Sequence, residues 1–428
     1  MTSPDAGATS KTRQEMDEKN GRSSAHGEEG ALEAVRARPG SSEAASQALS
    51  RAARQGDSLM RSAHVASDAP DAVTQLLHNL GDDLALAILF VSPRADFSAV
   101  MDEANLLFAG TQVLGCTTAG EIAGGYVEDG IVGIGLPQSH FEASVVTIEN
   151  LDEIAPTALI EHMIRTRRDL EKDSSDFENE FAFLLVDGTS LREDALMNVL
   201  ARGLGPVPLF GGSAGDGTRF RQSLLYCDGK VQKNAALLTF LRTRCPIKVF
   251  SFNHLDPADQ RMVVTRANAA ARRVQEINAA PAAREYARIL GKDQTQLDPF
   301  TFAAHPLVVR IGGRYHVRSI QRVDGDDLIF FSAIDEGVVL TLAEPREIAQ
   351  TLAEDFETLN HGGRLDSILA CDCILRRIEA HQKQRSLAVS KVLRRNRVVG
   401  FSTYGEQFGA MHVNLTMTGV AIYAPEDD

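Results

Sequence analysis

Two stretches of the chain repeat one spacing of glycine, hydroxyl and carboxylate: residues 115–121 read GCTTAGE and residues 400–406 read GFSTYGE. Glycine at a strand end lets the backbone turn sharply or approach a ligand closely. The hydroxyls of Thr117, Thr118 and Thr403 donate and accept hydrogen bonds. Glu121 and Glu406 offer carboxylates that would bind an amine or orient a hydroxyl, with Gly120 and Gly405 just before them. A third glycine-rich turn, FGGSAGDG over 210–217, sets Ser213 and Asp216 beside Gly211 and Gly212. It lacks the Lys-Ser/Thr of a phosphate-binding loop and the GxGxxG spacing of a dinucleotide site. Ligands collect beyond the carboxyl ends of parallel-type strands, so all three turns are expected on the rim of a polar pocket.

Thiols and imidazoles leave more than one reading open. Cys116 would be a nucleophile if its pKa were depressed, but no spacing supplies a base. Packing at a strand end is the plainer role. Cys371 and Cys373 are too close for a zinc knuckle, and on a strand they point to opposite faces. His412, in MHVNLT, follows the second turn on a predicted strand, two residues before Asn414. His316 in GGRYHVRS and His254 near the domain junction are similar: each is either a satisfied structural histidine or a ligand.

Strands and helices that would carry these residues follow from the hydrophobic pattern. LALAILFV (84–91) is a continuous apolar run and reads as a buried strand. A helix over SAVMDEANLLFAG and a strand over TQVLGC follow it, so the first turn closes a strand–helix–strand unit. DSILACDC, the helical IEAHQKQRSLAVSKVLRRN and RVVGF make the same unit before the second turn. Residues 84–121 and 367–406 are therefore expected to be equivalent. FAFLLVDG and the helical LREDALMNVLARGLG precede the third turn. A hairpin is expected around Asp228-Gly229 and another at Gly312-Gly313. PREIAQTLAEDFETLN reads as a helix with Pro345 in its first turn.

The expected fold is mixed α/β, α+β-like. A disordered tail over 1–57 precedes two related domains at 62–255 and 256–424, each with a mixed or antiparallel sheet flanked by helices. The formal net charge of −14 argues against non-specific nucleic-acid binding and against docking on anionic lipid. No stretch reaches the ~18–20 apolar residues of a membrane span. The N-terminus has no apolar signal core, and five cysteines suggest reduced thiols and a cytoplasmic protein.

LGCTTAGEI, LFGGSAGDG, ILACDCILRR and VVGFSTYGEQFGAMHVNLTMTGVAI, in that order, resemble the FIST sensory module over residues 62–424. The closing stretch, with STYGEQ and MHVN, is similar to the nitric-oxide-sensing, haem-binding (NosP) branch. The resemblance implies a bacterial signal-input protein that is not an enzyme. It would bind haem b, respond to nitric oxide, act in trans on a histidine kinase, diguanylate cyclase or phosphodiesterase, and admit a homo-oligomer. It further implies His412 as axial ligand through a neutral imidazole nitrogen, with His316, Tyr404 and Cys245 (in a Cys-Pro dipeptide) behind it. Arg310, Arg318, Arg376 and Arg377 would hold the propionates. Two alternatives stand beside this one. A haem-free sensor of amino acids or other small ligands would line its pocket with Glu121, Glu406, Ser213 and Asp216. A thiol enzyme would use Cys116.

Overall fold

The computed structural model describes residues 58–425; the tail expected over 1–57 lies outside the described residues. Three strand–helix–strand units, not two, organise the chain. The first is Leu84–Val91, Phe97–Leu107 and Gln112–Thr117. The second is Asn179–Val186, Glu193–Leu204 and Leu209–Ser213. The third is Leu365–Cys373, the helices Ile374–Gln382 and Ser386–Arg395, and Val398–Thr403. Local chemistry starts and stops these elements. The Asp96 carboxylate caps the first helix by accepting from the Ala99 N–H at 3.2 Å. Gln384, at φ 56°, breaks the helix pair that the sequence read as one.

In each unit the two strands pair in parallel, with Phe90 opposite Cys116, Leu185 opposite Gly212 and Cys371 opposite Phe401. An antiparallel strand flanks each first strand (Gly130–Pro137, Ala236–Thr243, Met417–Tyr423), and an outer antiparallel strand flanks that one.

The remaining two strands of each six-stranded sheet come from another unit. The hairpin Glu121–Ala123 and Tyr126–Val127, which follows the first turn, joins the third unit's sheet. The hairpin Glu406–Phe408 and Met411–Val413, after the second turn of the pair, joins the second unit's sheet. The hairpin Leu225–Cys227 and Lys230–Gln232, after the glycine-rich third turn, joins the first unit's sheet. The exchange is cyclic and in register: Glu121 sits opposite Phe401, Glu406 opposite Gly212, and Leu225 opposite Cys116. The Asp228-Gly229 turn is where the sequence placed it, with both residues at positive φ. The strand Ala236–Thr243, expected as part of that hairpin, pairs instead with the second unit.

Inner faces of the three sheets share one core, in which Phe90, Cys116, Phe183, Phe210, Cys371 and Phe401 are all buried. Phe90 stacks on Phe401 at 4.4 Å between ring centres. Helices cover the outer faces: Leu76 and Met101 on the first sheet, Leu196 and Leu200 on the second, Phe356 and Leu393 on the third.

A fourth, eight-stranded antiparallel sheet is spun out of residues 255–345. It contains the expected hairpin of Leu307–Ile311 with Arg314–Arg318. Pro345 ends one of its strands, and the helix Ile348–Asn360 starts later, capped by the Glu347 carboxylate on the Gln350 N–H at 2.5 Å. A proline cannot donate to a ladder, but here it closes a strand rather than opening a helix. The architecture is the mixed α/β arrangement expected, mixed and antiparallel sheets flanked by helices, with hairpins shared between the sheets.

Candidate functional site

The paired motif builds a latch. Thr118 Oγ1 donates to Glu121 Oε1 at 2.5 Å, and Glu121 Oε2 accepts from the Gly130 N–H at 3.1 Å. In the second copy Thr403 Oγ1 donates to Glu406 Oε1 at 2.5 Å. Glu406 Oε2 takes the Thr416 hydroxyl at 2.6 Å and the Thr416 N–H at 3.2 Å. Both carboxylates are fully buried, and burial pushes their pKa values up to about 7 for Glu121 and about 8 for Glu406. Expected on a pocket rim, they are interior groups that tie a strand end to the hairpin it donates.

The neighbouring residues are structural as well. Thr117 Oγ1 accepts from the Leu224 N–H at 3.0 Å. Cys116 and Cys371 are completely buried between the sheets, and burial raises both thiols, so neither is an activated nucleophile. At Gly120 a Cβ would stand 2.4 Å from Arg377 Nη1. Arg377 is spent on the carbonyls of Glu121 and Val127 and on the Glu128 carboxylate. Arg376 donates to Asp372 at 2.8 Å and to His254 Nδ1 at 2.8 Å, while His254 Nε2 faces Glu379 at 2.7 Å. Expected near propionates, both arginines instead brace buried interfaces, and His254 is a satisfied core histidine. Cys245 is buried, with its thiol raised by burial.

Around the third turn the symmetry fails. Ala214 and Leu225 take the places of the latch threonine and glutamate, so no latch forms there. Asp216 serves a different purpose: its carboxylate accepts from the Tyr404 hydroxyl and from the Gln222 N–H at 3.2 Å. The same phenol oxygen accepts from the N–H groups of Asp216 at 2.9 Å and Phe220 at 3.1 Å, and Phe220 stacks on its ring at 4.3 Å. Burial raises the Tyr404 phenol further. Tyr404 is thus an anchor for the inserted loop.

Beyond Gly405 lies the cluster that could bind something. A Cβ at Gly405 would stand 2.4 Å from His412 Cε1 and 2.9 Å from Asn414 Nδ2, so this glycine lets both side chains crowd the turn. Gln407 Nε2 donates to Ser213 Oγ at 3.0 Å and sits 3.3 Å from His412 Nδ1. Ser213 Oγ donates to Glu193 at 3.3 Å, and Glu193 pairs with Arg272 at 2.5 Å. Gly211 and Gly212 supply the strand opposite Gln407 and Glu406. Every one of these side chains is buried, yet Asn414 Oδ1, Asn414 Nδ2 and Gln407 Oε1 have no hydrogen-bond partner. Buried polar atoms are normally satisfied, so three orphans in one cluster set this place apart from the rest of the core. Burial holds His412 neutral; Glu193 and Asp194 oppose that effect while Arg272 and Arg318 reinforce it.

Gln407, Glu193 and Arg272 were not singled out from sequence. The available signal was an acidic pair opening an amphipathic helix (Glu193 and Asp194) and a glutamine adjoining the paired motif.

Next to this cluster opens a cleft of about 450 Å³, walled by Arg261, Arg310, Tyr315, Arg318, Asp335 and apolar side chains. Arg318 joins the two regions, since it lines the cleft and its Nη1 donates to the His412 carbonyl at 3.4 Å. His316 stands on the same strand, opposite Val309, but does not line the cleft.

Haem needs an apolar slot with its axial ligand inside. The His412 imidazole is instead enclosed by Gln407, Asn414, Ser213 and the Glu193–Arg272 pair, and the cleft walls include neither His412 nor His316. These residues do not fit haem held through His412. Among the described residues no group of three or more His, Cys, Asp or Glu is placed to hold a metal ion, and no helix is long and apolar enough to cross a membrane.

Comparison with known proteins agrees with the domain pattern. Residues 85–280 match the FIST N domain and residues 282–409 match the FIST C domain. No curated protein is similar enough to the chain to count as a relative. With both domains present in order over most of its length, the chain belongs to the FIST family of sensory signal-transduction modules.

Proposed function

We propose that the chain is a haem-free sensor whose small polar ligand, of the amino-acid type, is recognised at the Gln407–His412–Asn414 cluster. Its ligand state is passed to a histidine kinase or cyclic-dinucleotide enzyme in trans. One observation carries this reading: the Asn414 carboxamide is fully buried with neither end bonded. Each such group costs about 1–3 kcal/mol, a penalty that a ligand with matching donors and acceptors removes. Neutral His412 offers one more acceptor or donor, and Ser213 a hydroxyl. The cluster lies on a hairpin that completes a neighbouring unit's sheet, so a change there reaches two sheets at once. FIST domains are sensory rather than catalytic, which accords with the buried, raised thiol of Cys116.

Thermal-shift and calorimetric titration with free amino acids and related polar metabolites tests the reading. At least one should raise Tm by several degrees, since ligand at 100 times Kd adds about 2.7 kcal/mol. Asn414→Leu should abolish the shift. A flat response across the panel overturns the reading. So does a haem Soret band that moves with nitric oxide and disappears in His412→Ala, which would restore the haem-based nitric-oxide sensor.

A further inference from the structure

We propose that the cleft beside Arg318 is a second binding site, for a small organic carboxylate carrying an apolar body. The Arg318 guanidinium lies in the inner wall and is only 8% exposed. Its bonds run to two neutral carbonyls, Val317 O at 2.9 Å and His412 O at 3.4 Å, and among the described residues it forms no ion pair. The other buried guanidinium of this region, Arg272, is paired with Glu193. A buried cation is retained at low cost only when a counter-charge faces it. Burial depresses the Arg318 pKa, with Asp194, which forms no ion pair with it, the one carboxylate acting against that effect.

The rest of the wall selects among anions. Arg261 and Arg310 bring two more guanidinium groups and Asp335 the one carboxylate, so the lining is net positive. Arg310 lies over the Tyr315 ring at 5.9 Å, and both residues line the cleft. Guanidinium forks bind carboxylates bidentately. Val309, Ile334 and Val338 make the remaining wall apolar. A bare inorganic anion would leave that wall against water, whereas an aryl or alkyl carboxylate covers it. At about 450 Å³ the cleft suits a molecule of that size.

Fluorine NMR and calorimetry on the full chain with 4-fluorobenzoate, phenylacetate and octanoate provide the test, beside 4-fluorobenzyl alcohol and inorganic phosphate. At least one carboxylate should bind, 4-fluorobenzyl alcohol should bind at least tenfold more weakly, and Arg318→Met should weaken carboxylate binding at least tenfold. Should Arg318→Met fail to fold, the double variant Arg261→Gln/Arg310→Gln replaces it, with a several-fold loss expected. The site assignment falls if none of the three carboxylates binds, if the alcohol binds as well as the acid, or if the arginine variants bind like the parent. Phosphate binding as tightly as the best carboxylate removes the apolar-body requirement and overturns the ligand class. Asn414→Leu separates the two sites. Carboxylate binding that survives it while the amino-acid shift is lost supports both. An amino-acid shift with no carboxylate binding sinks the cleft alone.

Discussion

Above Gly120 lies Arg377; above Gly405, its equivalent, lie His412 and Asn414. Both turns close with the same threonine–glutamate latch, and both donate a hairpin to a neighbouring sheet. At the first turn the guanidinium over the glycine is used up on carbonyls and a carboxylate, so that end of the molecule is finished. At the second, the carboxamide over the glycine has no partner. One copy of a repeated frame therefore serves folding, and the other keeps polar groups in reserve. The difference teaches that the latch is scaffold, and that function is to be sought in what stands over the glycine.

Four measurements break or sharpen that comparison. The largest effect is expected at the residue after the first glycine of each motif. Phe401→Ala removes the ring stacked on Phe90 and should cost about 3–5 kcal/mol in urea unfolding. Cys116→Ala, at the matching place, should cost well under half of that. Equal losses would mean that the sheets do not meet as described.

Next come the latches. Glu406→Ala strands two hydroxyls and an N–H, and Glu121→Ala one of each, so losses of about 2–4 kcal/mol are expected, larger for Glu406. An innocuous Glu121→Ala would show that only one copy is latched.

Acid–base linkage follows. Both carboxylates have folded pKa values raised above the ordinary glutamate value of 4.5, to about 7 and about 8. Their protonated forms favour the fold, so this contribution is complete below pH 4.5 and declines as pH rises through 7 and then 8. The slope is at most about 1.4 kcal/mol per pH unit for each group. His412, held below its usual 6.5, works the other way: its contribution is present above that value and is lost as pH falls through its folded pKa. Stability measured across this range in Glu121→Gln/Glu406→Gln should lose the alkaline decline, and an unchanged decline would place its origin elsewhere.

The smallest effect separates the two glycine covers. Asn414→Leu exchanges an unbonded carboxamide for a hydrocarbon of similar size, so the unliganded protein should gain stability, by about 1 kcal/mol at the low end of the penalty for unbonded buried polar groups. Arg377→Met, which abandons four acceptors, should destabilise measurably in the same chemical-denaturation assay.

Much of the frame was legible because it is written in local pattern. The apolar run Leu84–Val91, the Asp228-Gly229 hairpin and the paired Gly-x-(Thr/Ser)-Thr-x-Gly-Glu motifs each announce themselves within a few residues. The second unit was legible as a strand, a helix and a glycine-rich turn, but not as a copy of the other two. Its Ala214 and Leu225 had replaced the residues that make the motif recognisable, and an insertion over 217–224 separates turn from hairpin. His412 and Asn414 were legible as polar residues on a strand after a turn. Their surroundings were not, because Glu193, Ser213 and Arg272 come from 140 to 220 or so positions away in the chain, and no periodicity links them.

By itself the sequence determined the strand–helix–strand units, the glycine turns and the family, since hydrophobic period and turn chemistry act over short range. Tertiary structure alone decided that each hairpin crosses to a neighbour's sheet. That crossing turns Glu121 and Glu406 from rim carboxylates into interior latches and leaves Asn414 buried without a partner. Backbone ladders are indifferent to which chain segment supplies the next strand, so pairing is settled by which apolar faces close a common core. That choice belongs to the whole molecule and to no single segment of it.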